Sequence, residues 1–277
     1  SCHVLKAPIG DMLSDLALLI EGLSIPREIP QIEVAMGDEI TALVLRHLAP
    51  LTVEDETALA RFAKQKQLHI YLQPGKPDSI QKLYPDDGNP FLEYSLPEFD
   101  VQYQFLPLDF TQVNPSINRQ MIPRAVALLE LKKSDIVFDG FCGIGNFSLA
   151  MARQVERVIG VESSEPSVER ARHNADRNGI TNCVFIAADL FAESLEIRGF
   201  QEVNKVLLDP PRTGAEALCK KLASRKVERV VYVSCNPVTL ARDAKILVQS
   251  GYRFDGAGVI DMFPHTTHIE SIASFSI

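Results

Sequence analysis

Nowhere does the 277-residue chain hold an apolar run of the ~18 residues that a membrane helix needs, and no charged-then-apolar leader opens it. A membrane partner is excluded on that ground, and the protein is expected in the cytoplasm. A disulfide framework is excluded as well. The five cysteines, Cys2, Cys142, Cys183, Cys219 and Cys235, are an odd number at irregular spacing, which suits a reducing compartment. Positive charge is scarce in the first part of the chain. Up to residue 105 there are 8 Lys and Arg against 16 Asp and Glu, and the remainder carries 20 of each, so the whole net charge of -8 belongs to the first part. Composition alone therefore gives no reason to expect a nucleic-acid partner. No internal repeat or low-complexity segment occurs, which rules out an array architecture. An initiator methionine is also lacking: the chain opens Ser-Cys-His, its first methionine is Met12, and it reads as a fragment of a longer protein.

What is there is globular. With 46% hydrophobic and 23% charged residues, the chain reads as soluble, and its length suits two units of unequal size. Met12, Leu16, Leu19, Ile20 and Leu23 fall at helical spacing and are followed by the Pro26 to Pro30 breakers. Ile32 to Met36 and Ile40 to Leu48 read as a hairpin around Gly37-Asp38. Thr52 and Asp55 read as the N-cap of a helix over 53–66. His69 to Leu72 and the alternating Val101, Tyr103 and Phe105 read as strands, with Pro74 to Pro90 between them as a long mobile loop. This part, residues 1–105, reads as a small α/β domain without a chemical motif.

Beyond it, over 106–277, short apolar strands alternate with helices. The strand signals are Ile136 to Phe138, Val158 to Val161, Val184 to Ala187, Val206 to Leu208 and Val230 to Val233. Helices are expected over 117–131, 147–154, 168–178 and 240–250. That pattern is an α/β, doubly wound, Rossmann-like parallel sheet covered on both faces. At the end Ala273, Phe275 and Ile277 alternate with serines, as in a half-exposed strand. A basic cluster, Lys220, Lys221, Arg225, Lys226 and Arg229, reads as a solvated helix face ahead of an RNA contact.

Ligands of open α/β sheets bind beyond the carboxyl ends of the strands. The first strand of the second part runs into Asp139-Gly-Phe-Cys-Gly-Ile-Gly-Asn-Phe147, where glycine lets backbone approach a ligand, although Ser148 stands where a dinucleotide fingerprint has its third glycine. The second strand ends at Glu162, placed to accept ribose hydroxyls, and the third at Asp189, placed to meet an adenine amino group. Nothing specifies a pyrophosphate, so the set suits S-adenosylmethionine better than NAD. The fourth strand ends Asp209-Pro-Pro-Arg212. This is like the Asp/Asn-Pro-Pro-aromatic signature of amino-group methylation, but arginine holds the aromatic position. The fifth, Val230 to Val233, runs into Ser234-Cys235-Asn236-Pro237, which sets a thiol where a strand leaves the core. A free cysteine by itself is more often a small core residue.

Taken in order, Asp109-Phe-Thr-Gln-Val-Asn114, the turn over 141–147, Asp209-Pro-Pro-Arg212, Ser234-Cys-Asn-Pro237 and Asp261-Met-Phe-Pro-His-Thr-Thr-His-Ile-Glu270 resemble the RNA 5-methyluridine methyltransferases over nearly the whole chain. Within that family the chain resembles the 23S ribosomal RNA uracil-C5 branch. The resemblance implies that Cys235 is the nucleophile and Glu270 the base. It also implies that Gln112, Phe141, Asn146, Glu162, Asp189 and Asp209 line the S-adenosylmethionine site, with RNA, expected to be 23S rRNA, as the partner and no obligate protein partner. Residues 1–105 become an RNA-contacting central domain. The ribosomal branch has a 4Fe-4S cluster whose last cysteine ligand Cys2 matches. Its other ligands would lie upstream, so the cluster is expected only in a full-length protein.

The chemistry needs these groups. Carbon 5 of uracil becomes nucleophilic once a thiolate adds at C6, and a base must then remove the C5 hydrogen before the thiol leaves. An extruded uracil also needs support from aromatic or arginine side chains, for which Phe263 and Arg212 are candidates. His265 and His268 lack a third ligand nearby and read as loop-shaping residues rather than a metal site. The same chemistry on the tRNA T-loop, and a non-catalytic RNA-binding or assembly factor, are the competing readings.

Overall fold

Pro26 to Pro30 separate a first helix, Ile9–Glu21 (α1), from a hairpin of Gln31–Met36 (β1) and Thr41–Arg46 (β2). The computed structural model describes Leu5, Lys6 and residues 8–192 and 196–277. These residues form two units: the chain up to Ser95 together with Tyr103–Asp109, and Leu96–Gln102 together with Phe110–Ile277. In the first unit, helix Val53–Lys66 (α2) carries the chain from β2 to the parallel strand Leu68–Gln73 (β3), a connection that parallel pairing requires. A capping box starts α2. Asp55 N–H donates to Thr52 Oγ1 at 3.2 Å, and Thr52 N–H donates back to Asp55 Oδ2 at 3.0 Å. Leu16 of α1 and Leu59 and Phe62 of α2 pack with Leu43, Leu45 and Ile70 of the sheet.

Pro74 to Pro90 is not one loop, as the prolines and glycines suggested. Gln81–Tyr84 (β4) pairs antiparallel with β3 and completes a sheet of order β1-β2-β3-β4. Its turn chemistry flanks a short edge strand, where Lys82 Nζ donates to Asp87 Oδ1 and to the Asn89 carbonyl, each at 2.6 Å. Leu92–Leu96 (β5) and Val101–Phe105 (β6) form a separate two-stranded sheet in which Tyr94 stacks on Tyr103 at 4.7 Å.

Residues 96–102 precede the change of pattern at 105/106 yet pack with the second unit. There Arg153 donates to the carbonyls of Phe99 and Asp100, and the Asn178 side chain binds both backbone groups of Gln102. The rest of that unit is, in order, Pro115–Leu129 (α3), Ile136–Gly140 (β7), Ser148–Ala152 (α4), Arg157–Glu162 (β8), Glu165–Arg177 (α5), Cys183–Ala187 (β9), Lys205–Leu208 (β10), Glu216–Arg225 (α6), Arg229–Ser234 (β11), Pro237–Gln249 (α7), Arg253–Ile260 (β12) and Glu270–Ser276 (β13).

The sheet order is β12-β13-β11-β10-β7-β8-β9. β11, β10, β7, β8 and β9 run parallel, and β13 and β12 close one end in antiparallel fashion. From β7 the chain winds outward through β8 to β9, then returns to β10 on the other side of β7. The β7/β10 boundary is therefore the topological switch point. Phe138, Val206, Leu208, Val230 and Tyr232 pack with Leu218 and Leu222 of α6 and Leu240 and Leu247 of α7. The intervening Val137, Leu207, Val231 and Val233 are just as buried and face the other way, where α3 lies along β10, β11 and β13. The sheet is doubly wound.

β13 corrects an expectation. All seven of its residues are buried, serines included, because β12, which the sequence pattern did not reveal, covers its outer edge. The serine hydroxyls keep partners inside: Ser271 Oγ donates to the Ser234 carbonyl at 3.1 Å and Ser276 Oγ to Asp255 Oδ1 at 2.9 Å.

Candidate active site

β11 ends at Ser234, and its antiparallel ladder with β13 ends at the pair Ser234 and Ser271. Cys235 follows β11 directly and Glu270 opens β13, so both lie at this end of the ladder. Alternation along β13 gives Glu270 the face of Ile272, which is the α3 face. Asp209, two residues beyond Leu207, has the same parity. The three groups sense one another. Burial pushes the Glu270 carboxyl up to about 8, and Asp209 adds to the effect. Burial lifts Asp209 to about 7. Cys235 is half-buried, and burial, Glu270 and Asp209, in that order, raise its thiol above the usual range, with Arg212 acting in the opposite sense. A nucleophile and a carboxyl group of high proton affinity thus share one patch of the sheet end.

Two helices fix this patch. Asn236 caps α7 by accepting from Val238 N–H, and Pro237 sets the first turn. Asn236 Nδ2 and Thr239 Oγ1 both donate to the Arg212 carbonyl, so α7 holds the Asp209-Pro-Pro-Arg turn. Gly214 in that turn has φ +77°, and a Cβ there would lie 2.6 Å from Asp243 Oδ2. The fully buried Asp243 accepts from Ala215 N–H and Tyr232 Oη. Arg212 reaches across to the 261–269 loop, its Nη2 2.6 Å from His268 Nδ1, and His268 meets the Phe263 ring edge-on. His268 thus shapes the loop. Among the described residues no group of three or more His, Cys, Asp and Glu could hold a metal. Cys2 lies outside the described residues.

On the other side of the switch point, the residues expected to line a cofactor site occupy adjacent strand ends. Phe141 has φ 66°, and Phe141 and Cys142 N–H both donate to the Val161 carbonyl, which folds the turn over β8. Gly143 has φ +53° and nothing within 4 Å of where a Cβ would stand, so its backbone faces open space. Gly143 N–H donates to Glu162 Oε2 at 3.3 Å, while Ser163 and Ser164 hold the other oxygen. Exposed Asp189 accepts from Phe191 N–H, and the Phe191 ring lies 5.5 Å from that of Phe141. Gln112 Nε2 donates to Asp209 Oδ2 at 3.3 Å. An open glycine turn, the Phe141 ring and three strand-end acids fit a nucleoside with a charged amino-acid tail.

Sequence reasoning missed two members. Asn118 of α3 pairs its amide reciprocally with Asn146, at 3.2 and 3.0 Å; its one signal was an amide amid the apolar residues of a helix. Asp139 is wholly buried beneath the turn and accepts from Ser148 Oγ, which ties β7 to α4. Its other oxygen has no partner among the described residues, and burial lifts it to about 7. An acid in an otherwise apolar strand was its signal. The basic cluster divides. Arg225 donates to Gln201 and Val203 carbonyls and lies over Phe200, and Arg229 pairs with Glu130 and Asp255, so these two are structural, whereas Lys220 and Lys221 line a cleft.

Comparison with known proteins gives a consistent result. Residues 40–275 match the family described as tRNA (Uracil-5-)-methyltransferase. The 23S rRNA (uracil(1939)-C(5))-methyltransferase RlmD of Legionella pneumophila (strain Lens) is 50% identical over 99% of this chain and 62% of its own length. That of Hahella chejuensis (strain KCTC 2396) is 48% identical over 99% and 63%. The chain thus spans less than two thirds of these relatives. Among solved structures, the Pyrococcus abyssi tRNA (uracil-54, C5)-methyltransferase in complex with S-adenosyl-L-homocysteine is 28% identical with a TM-score of 0.69, over 87% of this chain and 58% of that one. No helix among the described residues is long and apolar enough to cross a membrane.

Proposed function

Since the chain belongs to the tRNA (uracil-5-)-methyltransferase family, we propose that it methylates carbon 5 of a uracil in RNA, in the cytoplasm, with S-adenosylmethionine as methyl donor and 23S rRNA as target. The observation that carries this reading is the meeting of Cys235, Glu270 and Asp209 at the end of the β11/β13 ladder, close enough for both acids to act on the thiol.

Gln112, Phe141, Asn146, Glu162, Asp189 and Asp209 would hold the donor, which supplies an electrophilic methyl group. Cys235 loses its proton to solvent and bonds through Sγ to C6 of the uracil, and the C5–C6 double-bond electrons move onto the ring as an enolate. C5 would then bear both its hydrogen and the methyl supplied by the donor, whose sulfonium would be left as a neutral thioether. Glu270 as carboxylate removes that proton, the double bond re-forms, and the C6–Sγ bond breaks to return the thiolate. A base that titrates at about 8 is stronger than an ordinary glutamate and suits a weakly acidic C–H. Arg212 and Phe263, on the two segments flanking Cys235, would support the extruded base.

RNA carrying 5-fluorouridine tests the reading. Fluorine cannot leave as a cation, so the wild-type chain is expected to be trapped as a methylated adduct through Cys235, and Cys235→Ala to give none. A wild type that binds donor and RNA but forms no adduct would favour the non-catalytic reading. The 28% identity to an enzyme titled as acting on tRNA keeps tRNA as a second target, while 48–50% identity to enzymes named for 23S rRNA supports the first. Methyl transfer to each RNA separates them.

A further inference from the structure

Beside the Asp209-Pro-Pro-Arg turn lies a cleft of about 560 Å³ that none of the steps above uses. One wall is α6, whose Glu216, Lys220 and Ser224 follow one another at four-residue spacing, with Lys221 alongside. Thr213 and Gly214 of the turn and Arg242 of α7 form the floor, and Phe191, 46% exposed, stands at the rim. We infer that this cleft binds the backbone of the RNA strand flanking the target uracil, with Lys220, Lys221 and Arg242 on phosphates and a neighbouring base on Phe191. The choice of RNA among polyanions rests on the methyltransferase reading.

Three observations support it. The lining holds three cations against one acid, Glu216, although the chain as a whole carries -8. Glu216 sits 2.7 Å from Lys220 Nζ and 3.6 Å from Arg242 Nε, but these side chains are 43%, 61% and 41% exposed. Exposed ion pairs of this kind hold their partners only weakly, so a phosphate can take over the lysine. Second, an exposed aromatic ring beside cations is the arrangement that single strands use, with bases stacked and phosphates neutralised. Third, the cleft and the reactive turn are one rigid piece. Arg242 Nη2 donates to the Thr213 carbonyl at 2.9 Å, Ala215 N–H donates to Asp243, and Gly214 leaves no room for a side chain. Thr213 and Gly214 follow Arg212 directly, so a strand seated on them lies beside the Asp209-Pro-Pro-Arg turn.

The test is the salt dependence of binding to a 23S rRNA transcript centred on the uracil in the relatives' names and carrying 5-fluorouridine there. Lys220→Gln/Lys221→Gln is expected to weaken binding about tenfold near 150 mM salt. The slope of log K against log salt should fall by about 1.4, two phosphate contacts at ~0.7 each. Donor binding and melting temperature should stay as in the wild type, and Lys220→Arg/Lys221→Arg should restore affinity. Unchanged affinity and slope in the glutamine variant, with the wild type still trapped on the RNA, would overturn the cleft and leave the methylation reading standing. Lysine-dependent binding with no adduct in either protein would keep the cleft and remove that reading. A polyglutamate peptide bound through the same lysines while RNA is not would overturn the choice of ligand.

Discussion

Asp55 in the first unit and Glu270 in the second are equally hidden, 5% and 4% exposed, yet their proton affinities are displaced in opposite directions. Asp55 accepts from the Ser24 hydroxyl and N–H and from Thr52 N–H, and these donors, the Ser24 hydroxyl foremost, hold it down at about 2. Glu270 has burial and a second acid, Asp209, and rises to about 8. Burial alone does not decide what a carboxyl group does; the donors around it do. A carboxylate ringed by N–H and O–H groups holds secondary structure together. One buried without them binds a proton more tightly, which is what a base needs. The cysteines of the second unit divide in a similar way. Cys142 and Cys219 are sealed in the core with thiols pushed far up, while Cys235 is half-buried at a strand end.

The largest expected effect tests that division of the cysteines. Cys235→Ala should abolish methyl transfer to RNA, whereas Cys219→Ala should leave the rate per folded molecule within about twofold and only lower stability, by about 1–2 kcal/mol for a small buried side chain. Loss of activity in the core variant at full folding would break the comparison. Next in size, Glu270→Gln should lower turnover by about 10²–10⁴-fold while the RNA–protein adduct accumulates on ordinary uridine, since the C5 proton then has no acceptor. Equal loss of adduct and turnover would assign Glu270 to an earlier step. The wild-type pH profile gives a smaller effect. With Cys235 and Glu270 both needed deprotonated and both raised, kcat/KM should climb with pH through about 8, where Glu270 titrates, and go on climbing as the raised thiol ionises. A plateau beginning near 5 would show an ordinary glutamate.

Much of this architecture is legible in the amino-acid sequence. The hairpin at Gly37-Asp38, the Thr52 cap and the five parallel strands follow from local rules that tertiary packing leaves intact. Four apolar residues and a proline suffice to place Cys235 at a strand end. What failed were non-local properties. β4 hides among turn residues because an edge strand needs little hydrophobic pattern, and β12, with burial on few of its residues, shows the same weakness. β13 looked half-exposed because its serines alternate with apolar residues, and only its position between β11 and β12 buries them. The candidate site residues from Gln112 to Glu270 were assigned through family resemblance, since a lone glutamate after a Pro/His/Thr loop carries no signal of its own. That Glu270 comes to the same sheet end as Cys235 depends on the antiparallel register of β13, which no local pattern encodes. Asp139 and Asn118 act through partners 9 and 28 residues away.

The smallest effect compares the two acids most directly, through stability rather than activity. Asp55 titrates lower in the folded chain than in the unfolded one. Its contribution is therefore fully present above its ordinary value of 3.8 and is lost as pH falls through about 2. Glu270 runs the other way. Its folded value of about 8 exceeds the ordinary 4.5, so the unfolded chain releases the proton first and the folded state loses stability progressively as pH rises from 4.5 to 8. Asp55→Asn should then lower the unfolding free energy at pH 7 by about 2 kcal/mol, a difference that shrinks toward pH 2. Glu270→Gln should raise it at pH 8 by about 1–3 kcal/mol, after allowance for its coupling to Asp209, with the gain vanishing near pH 4.5. Denaturant titrations of both variants and the wild type across this range measure both signs. A Glu270→Gln variant less stable than wild type at pH 8 would mean that the carboxylate is already satisfied by donors, and the contrast between the units would collapse.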